Sequence, residues 1–173
     1  MLVSILIVLV LVVLNGFFAM SELAIVSSRR ARLEIMAKGG NRGAERAMRL
    51  GEDPTSFLST VQIGITLIGI FAGAYSGATL SEPIAAALSN IPAVAPFARS
   101  LAFALVVIAT TYVSLIVGEL VPKRLALRNA EGIAAFVSGP MSLLAVIGTP
   151  VVWFLKLSTE AVLALLRLGG ELR

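Results

Sequence analysis

The sequence predicts an all-α membrane protein: three transmembrane helices, a cytoplasmic helix-turn-helix and a juxtamembrane or re-entrant amphipathic helical segment. Three observations carry that prediction. Of 173 residues, 58% are hydrophobic and 14% charged, and the mean hydropathy of +0.96 lies outside the range of a soluble domain of this length. The apolar residues gather in runs long enough, at ~1.5 Å per helical residue, to cross a hydrocarbon core of ~30 Å. The basic residues gather between those runs and give a net charge of +4, which by the positive-inside rule marks the cytoplasmic loops.

The first run covers residues 2–27 and holds one charge, Glu22. No basic residue precedes it and no small-residue cleavage site follows a short core, so it reads as a span and not as a signal peptide. Arg29, Arg30, Arg32, Lys38, Arg42, Arg46 and Arg49 follow, interrupted by Gly39-Gly40, which predicts two short cytoplasmic helices joined by a turn. Asp53 is placed to cap the next helix, with Pro54 preset for its first position. The second span, about 55–80, has Tyr75 as its sole ionisable group. Residues 81–99 carry Pro83, Pro92 and Pro96 and few charges, which suits an outer loop. A third span, about 100–121, returns to Lys123, Arg124 and Arg128 on the inside.

Residues 131–168 are apolar but interrupted by Gly139-Pro140 and by Gly148-Thr149-Pro150. Two crossings need about 40 clean apolar residues and one crossing leaves the C-terminus outside. The expectation is therefore a shallow or re-entrant helical pair, with 151–168 amphipathic at the inner interface; a fourth span is the competing reading. The chain is expected in the cell membrane as a multi-pass protein, N-terminus outside and C-terminus, with Arg173, in the cytoplasm. Gly169-Gly170 reads as the start of a linker.

Composition narrows the chemistry. With no Cys and no His, thiolate or imidazole metal sites, disulfides and histidine-based triads are excluded. No GxxxxGK[ST] sequence is present, so ATP hydrolysis has no carrier here. The expectation is a non-enzyme without cofactor, whose ligands are oxygen atoms; a magnesium or sodium ion suits such a set. The pI near 10.1 comes without aromatics interleaved among the basic groups, so the expected partner is membrane lipid and not nucleic acid.

Pro122 has no amide proton for the carbonyl four residues back, which frees Gly118 oxygen beside the Glu119 carboxylate. Two readings stand: a pair of hard cation ligands, or a Glu119–Lys123 i,i+4 ion pair beside a simple helix kink. Asn15 and Glu22 share one face of the first span, being seven residues apart. Glu22 is either an intramembrane ligand or an anchor reaching Arg29 or Arg30. Ser21 either faces a cation or bonds back to the Phe17 carbonyl. In the second span Gln62 and Thr66 form a polar stripe, while Gly69, Gly73 and Gly77 repeat at four-residue spacing and permit close helix packing.

Asn15-Gly16-Phe17-Phe18-Ala19-Met20-Ser21-Glu22, then Ser59-Thr60-Val61-Gln62-Ile63-Gly64-Ile65-Thr66-Leu67, then Gly118-Glu119-Leu120-Val121-Pro122-Lys123 resemble, in order and spacing, the transmembrane (DUF21-type) domain of the CorC/CNNM family. That resemblance implies a homodimer with three spans and a belt-like juxtamembrane helix, followed by a CBS pair and a C-terminal domain. It further implies magnesium export coupled to sodium entry, through a metal site of Ser21, the 62–69 segment, the Gly118 carbonyl and Glu119. Magnesium-transporting members carry a Gly-Asn-Thr-Leu-Val-Asn run where this chain has Gly64-Ile65-Thr66-Leu67-Ile68-Gly69, two amide oxygens fewer. The Gln-Ile-Gly-Ile-Thr-Leu wording is similar to a bacterial branch associated with export of polyamines such as cadaverine and putrescine. Glu22 and Glu119 are then the expected two-point contact for a diammonium ion. A non-transporting dimeric anchor for a cytoplasmic region is the third alternative.

Overall fold

The computed structural model describes residues 1–52 and 54–166. The expected cap at Asp53 and the tail 167–173, with its linker and Arg173, lie outside the described residues. Every described element is helical: α1 Leu2–Ser27, α2 Arg30–Lys38, α3 Arg42–Glu52, α4 Pro54–Leu88, α5 Ala98–Leu115, α6 Val121–Arg128 and α7 Ala130–Leu165. A 3-10 turn, Ala95–Phe97, leads into α5, and a π turn, Ile116–Leu120, joins α5 to α6. Four stretches are long and apolar enough to cross a membrane: α1, α4, α7 and the continuous run Ala95–Arg128.

α1 is the central rod, packing against α4, α6, α7 and the π turn. Its buried set includes Val8, Val12, Asn15, Ala19 and Ile25, spaced three, four or seven apart or combinations of these, so that one broad face is covered. α2 and α3 form the expected pair of short helices. Gly40 makes the turn at φ +90, a left-handed conformation that glycine adopts without steric strain. Asn41 then caps α3, its Oδ1 accepting from the N–H groups of Gly43 at 2.9 Å and Ala44 at 3.1 Å.

α4 runs eight residues past the expected end at 80 and straight through Pro83. A break there exposes several backbone groups at each new terminus, whereas a proline inside the helix removes one hydrogen bond. The same reasoning explains the larger difference at α7. The interrupted pair expected over 131–168 is one continuous helix of 36 residues, with Pro140 and Pro150 inside it. Asn129 separates α6 from α7 and caps the latter, accepting from Gly132 N–H at 3.2 Å.

α7 runs across the bundle rather than beside one helix. The Ser138 hydroxyl lies 2.8 Å from the Gly43 carbonyl on α3, and a Cβ on Gly43 would run into the Ala135 carbonyl. Ten residues later, about 15 Å of helix, a Cβ on Gly148 would sit 2.7 Å from Thr60 Cγ2 in the second turn of α4. The densest packing lies at this basic end, where Phe57, Val61, Val137 and Met141 meet Ala24, Ala44, Ala47, Ala126 and Ala134. Small side chains let the helices approach, and in lipid such van der Waals packing replaces the hydrophobic driving force.

Candidate functional site

Two glycines fasten α1 to the π turn. A Cβ on Gly16 would lie 2.9 Å from both Val117 O and Pro122 Cγ, and one on Gly118 would lie 3.3 Å from Val12 O. Here Val121 N–H donates to the Ile116 carbonyl, five residues back, the pattern of π bulges that recur at functional sites. Pro122 contributes no N–H, and the Gly118 carbonyl accepts instead from Asn15 Nδ2 at 3.2 Å. A carbonyl can only accept, so this bond fixes which way the amide points. The other end, Asn15 Oδ1, is buried without a partner, on a residue 7% exposed.

Asn15 lines a half-open cavity of about 480 Å³ bordered by α1, α4, α5 and the π turn. Its other polar side chains are Ser76, Thr110, Thr111, Ser114 and Glu119. Glu119 is also paired, Oε2 lying 3.8 Å from Lys123 Nζ, with both side chains about 40% exposed (39% and 42%). A long, half-solvated i,i+4 pair of this kind contributes about 0.3–0.5 kcal/mol, little enough for another cation to displace Lys123.

The remaining expected site residues are dispersed. Ser21 is fully buried and donates back to the Phe17 carbonyl at 2.7 Å. Glu22 is half-buried, outside this cavity, and among the described residues forms no ion pair. The arginines below it are engaged elsewhere: Arg30 with Glu52 at 2.6 Å and Arg32 with Glu131 at 3.7 Å. Gln62 and Thr66 face a wider cleft of about 1000 Å³ between α4 and α7, with Ser59, Lys156, Thr159 and Glu160. Gly69 and Gly73 border the Asn15 cavity, where a Cβ would meet nothing within 4 Å, whereas Gly77 abuts the Phe103 ring at 3.0 Å. Pro122 sits in the first turn of α6, directly after the π turn.

Sequence reasoning missed Thr110, Thr111 and Ser114. Their i, i+4 and i, i+3 spacing, about one and a half to two and a half turns before Glu119, sets them on one face but does not by itself mark a site. Among the described residues no group of three or more acidic side chains could hold a metal ion. The cavity therefore offers one carboxylate, one amide oxygen and several hydroxyls, a set suited to a singly charged group or to a hydrated hard cation.

Residues 6–173 match the family described as the Cyclin M transmembrane N-terminal domain. A UPF0053 protein of Synechocystis sp. is 54% identical over 158 residues, which is 91% of this chain and 35% of that protein. The polyamine export protein of Escherichia coli K12 is 30% identical over 154 residues, 89% of this chain and 34% of its own length. Its namesake in Haemophilus influenzae is 28% identical over 169 residues, 96% of this chain and 38% of its own. This chain spans little more than a third of the length of these relatives. With the match running over nearly its whole length, the chain belongs to the cyclin M (CNNM) transmembrane domain family.

Proposed function

We propose that this chain is the membrane part of a cation exporter and that its substrate is an organic polycation of the polyamine class, held in the Asn15–Glu119 cavity. The carrying observation is that Asn15, whose Oδ1 is buried without a partner, lines one cavity with a single carboxylate, Glu119. A buried acceptor without a donor costs about 1–3 kcal/mol, and an ammonium group, which has three donors and no acceptor, removes that cost while neutralising Glu119. The names of two relatives, polyamine export proteins, support the same class. In this reading Ser21, Glu22, Gln62 and Thr66 lie along the route and not in the binding cavity.

Magnesium efflux coupled to sodium entry is the second reading. It is favoured by the all-oxygen donor set, with Asn15 Oδ1 and Glu119 near one another and waters completing an octahedron. Against it stands the Gly118 carbonyl, one of whose two lone pairs is taken by Asn15 Nδ2.

The proposed topology puts the N-terminus outside and α2, α3 and α6 in the cytoplasm, with three crossings in a homodimer and α7 as a belt along the inner interface. Support for the belt comes from the slow passage of α7 from Gly43 to Thr60. Single cysteines at Gly39 and Ser89 should label from opposite faces; labelling from one face removes the three-span topology. The decisive functional experiment is flux into liposomes carrying the full-length protein, with 1,4-diaminobutane, magnesium and sodium tested side by side. Diamine flux lost in Glu119→Gln is the expected result. Magnesium flux alone supports the second reading, and no flux of any cation supports a membrane anchor.

A further inference from the structure

We infer that Thr110, Thr111 and Ser114 on α5 line the part of the cavity that precedes Glu119 along the chain and select a cation with two donor groups. The inference rests on the organic-cation reading above and adds the residues that set specificity. All three residues line the same cavity as Asn15 and Glu119, Thr110 and Ser114 half-buried and Thr111 exposed.

Their hydroxyls are held differently from most others in the helices. Ser21, Thr60, Thr79 and Ser142 each donate to the carbonyl four residues back, at 2.7–2.9 Å, and Ser76 donates three back at 3.0 Å. Such back-bonding satisfies a hydroxyl within its own helix. The structure gives Thr110, Thr111 and Ser114 no such bond among the described residues, so their oxygens are available to a guest. Asn15, whose Oδ1 is buried without a partner, lines the same space.

Spacing then defines the guest. Ser114 lies five residues and Thr110 nine residues before Glu119; with about one residue taken up by the π turn, this is about 6 and 12 Å of helix at ~1.5 Å per residue. A diammonium chain of four or five methylenes, with bonds of ~1.5 Å, reaches from the carboxylate to the nearer hydroxyls. Glu22, outside the cavity, is not needed as the second anchor. A hydroxyl end also explains selectivity: a cation with one head leaves those oxygens unpaired, and a site built to hydrogen-bond a group discriminates against an analogue lacking it.

The test is titration calorimetry on the full-length protein in lipid nanodiscs, with 1,4-diaminobutane and butylamine as probes and magnesium chloride as a third. The unaltered protein should bind the diamine about tenfold more tightly than the monoamine, the value of one extra hydrogen bond to a charged group. In the combined Thr110→Val, Thr111→Val, Ser114→Ala variant, diamine affinity should fall to that of butylamine, with butylamine binding unchanged. Threonine-to-serine changes at 110 and 111 keep the hydroxyls and should keep the preference, which separates recognition from packing; Ser114→Ala alone gives a milder readout if the combined variant fails to fold. Persistence of the full diamine preference in Ser114→Ala and the combined variant overturns the inference while leaving the Glu119 site intact. Glu119-dependent magnesium binding without diamine binding overturns both this inference and the organic-cation reading.

Discussion

The cavity beside Asn15 and the cleft beside Gln62 draw on nearly the same side chains and differ in what their backbones do. Each holds a carboxylate, a primary amide and hydroxyls: Asn15, Ser76, Thr110 and Glu119 in one, Ser59, Gln62, Thr159 and Glu160 in the other. In the cavity the amide is buried, fixed by the Gly118 carbonyl and left with an empty acceptor. In the cleft Gln62 is exposed and Glu160 is 4.0 Å from Lys156, with both ends largely solvated. A polar stripe on a span is therefore not a site by composition; an acceptor that the fold itself cannot satisfy is the more specific mark.

The largest effect expected from this contrast is structural. Gly16→Leu drives side-chain atoms into the Val117 carbonyl and Pro122 ring, and because one of these is backbone the helices must separate. A loss of about 3 kcal/mol or more should appear as a lower thermal midpoint in detergent. The same substitution at Gly69, where a Cβ meets open space, should leave the midpoint within a degree or two; equal losses at both sites would erase the distinction between the fastened and the open side of the cavity.

Next in size is the loss of charge. Glu119→Gln should weaken cation binding by about 1.5–3 kcal/mol, roughly ten- to a hundredfold, whereas Gln62→Leu and Thr66→Val in the cleft should change it less than twofold. Calorimetry that finds the cleft variants more damaging would move the site to the α4–α7 side. A smaller change follows from filling: Gly73→Leu projects into the cavity without touching other atoms at its Cβ. It should reduce binding about tenfold by occupying the space, with thermal stability retained. If instead it dissociates an oligomer seen by light scattering, Gly73 serves packing between copies. The smallest effect belongs to Lys123→Gln, which removes the internal competitor at 3.8 Å. Binding should tighten about twofold at low salt, and the gain should fade as salt screens the charges.

Much of the architecture was legible in the amino acids. Hydropathy located α1, α4 and α5, Gly39-Gly40 located the turn between α2 and α3, and Pro122 pointed to an unsatisfied carbonyl at Gly118. Two features were hidden for physical reasons. Gly139-Pro140 and Gly148-Thr149-Pro150 read as breaks because proline removes a local bond, yet α7 continues through both, since a broken helix strands more polar backbone than a continued one. The hydroxyls of Thr110, Thr111 and Ser114 carry no charge and usually vanish into intrahelical bonds, so nothing in the sequence separates them from Ser21, whose hydroxyl did vanish in that way. Seven-residue spacing sets Asn15 and Glu22 on one side of α1, yet Asn15 lines the cavity and Glu22 does not, because which helix each part of a face meets depends on crossing geometry that spacing does not encode. That is why Gln62 and Thr66 ended opposite α7.

The π turn has a consequence for phase. Ser114 and Glu119 are five residues apart, which in an uninterrupted α-helix at about 100° per residue leaves their side chains about 140° out of alignment. A turn closed by bonds five residues long absorbs about one extra residue and brings the two within about 40° of a common azimuth. The bulge thus acts as a vernier that rotates the carboxylate onto the hydroxyl-bearing side of the helix before it. Removing Ile116 or Val117 would leave every side chain of the cavity in the chain, yet it would turn either the acid or the whole of α6 to face another direction.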